Sequence, residues 1–372
     1  MEPMESSPLT DIFTAIEGAL TSGDPVVLIT VVRTSGSTPQ KPGAKLLVRE
    51  DGSTVGTLGG GCVENDLRSF ALDALRTGRP AHLRDYVLNE SPASSRGMVC
   101  GGRMTFFVDP IRKPDFHLAP VSEILGTQSG SSAVAMCSLI RAYGDEAGFV
   151  GRTLLVREIG TQAGSLGKPQ WDAHAIAASR EILQEKGAPR CVLLGQGVEY
   201  FLEAYFPPPL LVVLGGGHIA KALEPLAKSA GLRFSVVDDR PEYASRERFS
   251  AAEDILPTEF GKGLRSLSTR EDDFIVVATR GHRFDDEALE AAARSRARYV
   301  GLLGSRRKVA LIFASLMLKG IPRERVEGIH APIGLDIGGI SPEEIAISII
   351  AEIVMCRRGG TGQPMKSRDP KG

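Results

Sequence analysis

The chain has 372 residues, of which 42% are hydrophobic and 24% charged, with a formal net charge of −1. This length suggests two or three domains. The balanced charge leaves no basic surplus for nucleic acid or for an anionic membrane surface.

The N-terminus, "MEPMESSPLTD", is polar and acidic, unlike a signal or transit peptide. No run of 18 apolar residues follows, so no transmembrane helix is expected. The five cysteines are scattered and odd in number, which fits a reducing compartment; the expected location is the cytoplasm.

An apolar strand at 26–32 leads into a polar loop, "RTSGSTPQKPGAK" (33–45). Two strand-like runs follow, joined at Asp51-Gly52, a dipeptide that favours a two-residue hairpin turn. After "GTLGGGCVEND" (56–66), Leu67, Phe70, Ala71, Ala74 and Leu75 fall at helical spacing, and Gly78 and Pro80 close that helix. The segment "GRMTFFVDP" (102–110) reads as the strand that ends the unit.

The pattern then repeats. With a shift of 108 residues, positions 33–59 overlay 141–167 without a gap, and 12 of the 27 pairs are identical, including Leu46–Glu50 with Leu154–Glu158. The second copy ends in a strand at 197–205, and residues 111–130 are read as a link between the halves. Where the first copy has Gly60-Gly61-Cys62-Val63-Glu64, the second has Lys168-Pro169-Gln170-Trp171-Asp172. It also has no counterpart to the stretch around Cys100, "LNESPASSRGMVCGG". The fold therefore does not demand these glycines and cysteines.

Prolines 207–209 open a third unit. A buried strand (210–214) runs into Gly215-Gly216-Gly217-His218-Ile219-Ala220, then a helix, then a strand ending at Asp238. This is the G-x-G-x-x-A arrangement of a dinucleotide-binding turn. Gly215 is assigned to the tight turn and Gly217 to close approach of a pyrophosphate at the helix start, with His218 and Ile219 beside it and Asp238 facing ribose hydroxyls. The alternative is a Rossmann fold whose turn glycines serve packing alone. Further strands at 273–279 and 297–305 alternate with helices at 285–295, 305–319 and 342–357, giving a parallel, doubly wound sheet. Loops at its carboxyl ends carry Arg280, Gly281 and His282, then Gly304, Ser305 and Arg306, and His330, residues suited to an anion.

The expected fold class is α/β: a pseudo-duplicated N-terminal domain followed by a Rossmann-like sheet. The expected boundaries are 1–112 for the first repeat, 131–206 for a degenerate second repeat, 207–358 for the Rossmann-like domain and 359–372 for a disordered tail.

A thiol at a helix start has a lowered pKa. Cys62 is accordingly read as a nucleophile, sulfur carrier or soft-metal ligand, with Cys100 as its redox partner or second ligand; the alternative is that both pack under glycine loops. Cys137, Cys191 and Cys356 are read as core or surface residues without chemistry. Gly59, Gly60, Gly61, Glu64, Gly101, Gly102 and Ser37 complete the first group of candidate cofactor-binding residues.

These motifs together resemble the XdhC/CoxI family, accessory proteins of molybdenum hydroxylases. The matching segments are "GSTPQKPGAKLLVREDGSTVGTLGGGCVE", "GMVCGGRMTFFVDP", "VVLGGGHIAKAL", "VVDDRPEYA", "ATRGHRFDDEAL", "YVGLLGSRRK" and "IHAPIGLDIGGISPEEIAISIIAEIV", in the family's order. The resemblance implies a chaperone rather than a turnover enzyme. It would bind the molybdenum cofactor (molybdopterin, with or without a nucleotide), support its sulfuration with a cysteine desulfurase, and pass it to an apo xanthine-dehydrogenase-type hydroxylase. Cys62 or Cys100 would lie toward molybdenum, and a homodimer is expected. Two other readings stay open: an NAD(P)-dependent oxidoreductase using the Rossmann domain with Cys62, Cys100 or His282 as reactive group, and a nucleotide-sensing module without catalysis.

Overall fold

The computed structural model describes residues 8–59, 61–88, 102–112, 118–128, 130, 132–195 and 197–367. These form two compact units, divided between Pro207 and Pro208.

The first unit contains the repeat twice over. Its first copy runs α1 (Pro8–Ser22), β1 (Val26–Ser35), β2 (Lys45–Arg49), β3 (Thr54–Gly56), α2 (Cys62–Thr77), β4 (His82–Val87) and β5 (Arg103–Ile111). The second runs α3 (Leu118–Gln128), β6 (Val134–Arg141), β7 (Thr153–Arg157), β8 (Gln162–Gly164), α4 (Pro169–Glu185), β9 (Arg190–Gly195) and β10 (Val198–Tyr205). Each copy is one antiparallel sheet, of order β3-β2-β1-β5-β4 and β8-β7-β6-β10-β9. The 108-residue offset holds in the hydrogen-bond register, since Val26 pairs with Arg49 and Val134 with Arg157. The segment read as a plain link contains α3, which takes the place of α1.

The Asp51-Gly52 turn differs from the two-residue hairpin expected. Arg49 N–H donates to Ser53 C=O and Gly52 N–H to Arg49 C=O, which closes a three-residue loop with Gly52 at φ 79°. Arg157, Gly160 and Thr161 repeat the same two bonds.

The cores also correspond. In the first copy Ile29, Leu46, Leu58, Phe106 and Val108 are buried around α2; in the second, Cys137, Leu154, Leu166, Tyr200 and Leu202 are buried around α4. Cys137 thus fills the slot of Ile29. Its thiol lies 3.3 Å from Ser179 Oγ, and burial pushes it up to about 12, so it is a core residue with no thiolate chemistry. Between the copies, Val32 and Phe107 meet Ile140 and Phe201, a pseudo-symmetric apolar contact.

The second unit holds β11 (Leu210–Leu214), α5 (His218–Ser229), β12 (Arg233–Asp238), β13 (Ile255–Pro257), α6 (Phe260–Ser266), β14 (Phe274–Val277), α7 (His282–Arg294), β15 (Tyr299–Leu302), α8 (Arg306–Leu318), α9 (Arg323–Glu327) and α10 (Pro342–Arg358). Its strands form a parallel sheet of order β13-β12-β11-β14-β15, with apolar cores on both faces, as a parallel sheet requires. Together the two units make the α/β class expected, with a Rossmann-like parallel sheet at the C-terminal end. Residues 359–367, expected within a disordered tail, are described. Gly359 caps α10 in the left-handed conformation, and Met365–Ser367 forms a 3-10 turn.

Candidate functional site

Close backbone approach brings three of the sequence motifs together in the first unit. A Cβ on Gly59 would lie 2.5 Å from Pro39 Cβ, and a Cβ on Gly102 would lie 2.3 Å from Ser37 O and 2.9 Å from Ser35 O. Segment 35–39 is therefore seated between the residue that precedes Gly60-Gly61-Cys62 and the residue that follows Cys100-Gly101. Only glycine permits either contact. Ser37 is exposed, while Thr38 Oγ1 is used locally, donating to Gln40 C=O at 3.0 Å. The strand ends that carry these segments frame a cavity of about 320 Å³ lined by Arg33, Ser35, Tyr86, Arg103 and Thr105. Larger cavities of about 720 and 980 Å³ border Pro25 and Glu50, away from the motif loops.

Helix α2 starts at Cys62 behind Gly61, whose φ of 77° no β-carbon residue adopts readily and which supplies no side-chain cap. Glu64 turns back instead. Its Oε1 accepts from Leu58 N–H at 2.6 Å and from Thr57 Oγ1 at 2.7 Å, and Gly59 N–H donates to Thr57 Oγ1 at 3.1 Å. The second copy repeats all three bonds with Asp172, Leu166, Ser165 and Gly167. In the described conformation Glu64, proposed from sequence as a cofactor contact, is a loop-closing acid shared by both copies. The recurrence of T/S-L-G followed by an acid could have shown this.

What differs between the copies is the packing at that loop. In the second, Phe149 sits 2.9 Å from where a Gly167 Cβ would be, edge-on to Trp171 with centroids 5.9 Å apart. Lys168 lies 5.0 Å over the Trp171 ring and pairs with Glu146. The equivalent residues in the first copy are Lys41, Val63, Gly60 and Thr38. Phe149 and Trp171 thus pack at this loop in the second copy; in the first, Pro39 lies against Gly59 and Val63 stands at the tryptophan position.

Gly60, Cys100 and Gly101 lie outside the described residues, as do the side chains of Cys62 and His282. The backbone of Cys62 is the first residue of α2.

In the second unit, α5, α7 and α8 begin directly after β11, β14 and β15, with Gly217, Gly281 and Ser305 as their N-caps. The glycines offer no side-chain cap, whereas Ser305 Oγ accepts from Lys308 N–H at 3.4 Å. Three helix N-termini at one sheet edge favour an anion. Gly217 has open space above it, and His218 and Arg306 are exposed; Ile219 packs into the core. Arg280 forks onto Asp239 at 2.8 and 3.0 Å, Gly304 lies against the Lys308 stem, and Lys308 pairs with the buried Asp285.

Asp238 is held by its own chain. Its Oδ2 accepts from Gly216 N–H at 2.8 Å and Arg240 Nη2 at 3.0 Å; its Oδ1 accepts from Arg240 N–H and Nε at 3.0 and 2.9 Å. Burial alone would raise its pKa, but the Arg240 guanidinium and the two backbone donors outweigh it and hold the carboxyl below its usual range. A Gly216 Cβ would lie 2.1 Å from Tyr243 C=O, so this part of the glycine turn packs on its own chain. In this structure Asp238, read from sequence as a ribose acid, is held by Arg240 and by the glycine turn. The signal was Arg240, two residues on, which stacks 3.5 Å from the Tyr243 ring centroid.

Two domain families match this chain, the XdhC and CoxI family over residues 19–87 and the XdhC Rossmann domain over residues 211–353, together more than half of it. The chain belongs to the XdhC/CoxI family. This XdhC/CoxI protein is 27% identical over 97% of its length to the uncharacterized protein YqeB of Escherichia coli, and spans about half (49%) of that relative. It is 26% identical to a protein of Bacillus subtilis described as a probable xanthine dehydrogenase subunit, covering 93% of this chain and 97% of the other. It is 24% identical to the molybdenum cofactor insertion chaperone PaoD of Escherichia coli, covering 91% and 86%. A crystal structure from Bacillus halodurans, described as a xanthine dehydrogenase, shares the fold with a TM-score of 0.71 at 23% identity, covering 97% and 98% of the two chains.

Proposed function

We propose that this protein is a molybdenum-cofactor chaperone that holds the cofactor during sulfuration and supports its insertion into a xanthine-dehydrogenase-type hydroxylase, with a cysteine desulfurase as sulfur source. The observation that carries the reading is the asymmetry of the repeat. One copy carries Gly60-Gly61 and a cysteine at the start of α2, and its twin carries Lys168-Pro169-Gln170 there, with Phe149 packed on Trp171. The names of the full-length relatives from Bacillus subtilis and Escherichia coli point the same way.

The donor set suits the cargo. Exposed Ser37 and Lys41 and the backbone of segment 35–40 offer hydrogen bonds to a pterin edge; in the adjoining cavity Arg103 stands beside Asp85, and Arg33 is already paired with Glu199. A thiolate at the start of α2 would suit a soft metal or a transferable sulfur. The three helix N-termini of the Rossmann unit favour a phosphate-bearing group. NAD(P) is the weaker reading, because Asp238 is committed to Arg240 and Gly216. The protein is proposed to act in the cytoplasm as a homodimer.

The test is cofactor content after co-expression with the molybdopterin pathway. Cys62→Ala or Cys100→Ala is expected to lower bound pterin or its sulfuration, while Cys137→Ala leaves both unchanged. Equal content in all three variants would remove the two thiols from the function.

A further inference from the structure

A second thiol cluster lies in the Rossmann unit, away from the glycine turn. Cys356, near the end of α10, has its sulfur 3.9 Å from Nε2 of His330. The other imidazole nitrogen, Nδ1, is 3.2 Å from Oε1 of Glu352, one helical turn before Cys356. Glu352 is held in turn: its Oε2 accepts from Tyr299 Oη at 2.6 Å and from Gly334 N–H at 2.9 Å. The Tyr299 ring lies against the imidazole, with centroids 4.4 Å apart and planes 31° apart. The parallel bridge between Gly301 and His330 fixes the backbone that carries the histidine.

The order is nucleophile, base, orienting acid, which is the arrangement that activates a thiol or hydroxyl. Burial would raise the Glu352 carboxyl, but His330, Tyr299 and Gly334 together hold it below its usual range, so it is an anion that accepts a hydrogen bond from His330 Nδ1–H. Nε2 is then the nitrogen turned to sulfur. The Cys356 thiol is raised by burial and by the Glu352 charge, with Arg298 acting against them, so it rests protonated and needs a base. The His330 side chain is one-third exposed (33%), which leaves the pair open to a small reactant.

We propose that Cys356 is a nucleophilic thiol, with His330 as its general base and Glu352 as the positioning residue, and that its substrate is a sulfur–sulfur bond in a small disulfide or a persulfide. His330 Nε2 takes the Sγ proton. The thiolate attacks one sulfur of the S–S bond, a new S–S bond forms to Cys356, the old one breaks, and the departing thiolate recovers the proton from the imidazolium. A disulfide leaves a mixed disulfide on Cys356 and a persulfide leaves Cys356 persulfide, and the S–S reactant is the sole oxidant in either case. Acyl transfer would need oxyanion donors as well; exchange at sulfur needs only the groups described. This inference does not depend on cofactor binding by the first unit.

The internal standard is Cys191, also partly buried and raised by burial, whose sulfur donates to Val32 C=O at 3.4 Å. The folded full chain is treated with oxidised glutathione or with inorganic polysulfide, alkylated, digested and read by peptide mass spectrometry. Cys356 is expected to be modified about a hundredfold or more faster than Cys191, the low end of what a general base supplies. His330→Gln, which can still donate to Glu352, is expected to bring Cys356 down to the Cys191 rate. Glutathione adducts identify a small disulfide as the source and added sulfur identifies a persulfide; either supports the proposal. A wild-type Cys356 no faster than Cys191, or an unchanged rate in folded His330→Gln, would overturn it.

Discussion

Lys45 of the first repeat ends on Glu203 of the second, its Nζ 2.8 Å from both carboxylate oxygens, with the two side chains 1% and 6% exposed. The position equivalent to Lys45 is Thr153, so the pair breaks the pseudo-symmetry of the unit. Lys45→Ala would leave a buried carboxylate without its cation, still accepting from Tyr205 Oη at 3.2 Å. The expected loss is about 3–5 kcal/mol, read as a lower denaturant midpoint. Replacing both partners with apolar residues of similar volume is expected to recover most of it, because the cost lies in the orphaned charge. Equal losses in the single and double variants would contradict this account.

Asp238 gives a pH dependence. Its folded pKa lies below the ordinary carboxylate value, so its contribution to stability is present above the unfolded pKa and is lost as pH falls through the folded one. Arg240→Ala is expected to cost about 1.5–3 kcal/mol, the range for a hydrogen bond to a charged group, and to reduce the acid-dependent part of the unfolding curve. An unchanged slope of stability between pH 5 and 2, a window of about three units around the carboxylate range, would mean the pair is not formed. The same geometry predicts no micromolar binding of NAD(H) by calorimetry.

The repeat also allows the first copy's loop to be given the second copy's aromatic residues. Lys41→Phe with Val63→Trp recreates the aromatic pair of Phe149 and Trp171 in the first copy. Folding should survive, since the second copy carries that pair at the equivalent positions, before its second strand and in the first turn of α4. Bound pterin should fall to background. Full cofactor content in a folded double variant would place the cargo elsewhere.

Gly102 offers a narrower test. Its Cβ would meet backbone at Ser37 and Ser35, which cannot swing aside as a flexible side chain would. Gly102→Ala is expected to displace segment 35–39 and to lower cofactor content. By contrast Gly217→Ala, which has open space, should leave the fold intact. Proteolytic susceptibility of the 35–41 loop checks the displacement directly.

Much of this is legible in the sequence because the repeat preserves register: Leu46–Glu50 and Leu154–Glu158 predict the same strand and the same turn. Local pattern also finds the glycine turn after β11 and the helices after β14 and β15. The long-range polar partnerships are hidden. Nothing local says that Lys45 meets Glu203, that Glu352 collects Tyr299, His330 and Gly334, or that Phe149 and Trp171 pack at one loop. The fingerprint fixes where Asp238 stands but not what its neighbour Arg240 does to it. Helix α3 reads as a link because only Ile124 and Gly126 match α1 in the overlay, at Ile16 and Gly18, too few to extend the repeat.

The most direct measurement is pterin fluorescence of the protein purified from a molybdopterin-producing host, with wild type, Cys62→Ala, Cys137→Ala and Lys41→Phe/Val63→Trp compared at equal folded concentration. The account predicts pterin in wild type and Cys137→Ala, less in Cys62→Ala, and background in the double variant. Equal pterin in all four, or none in wild type, would contradict it.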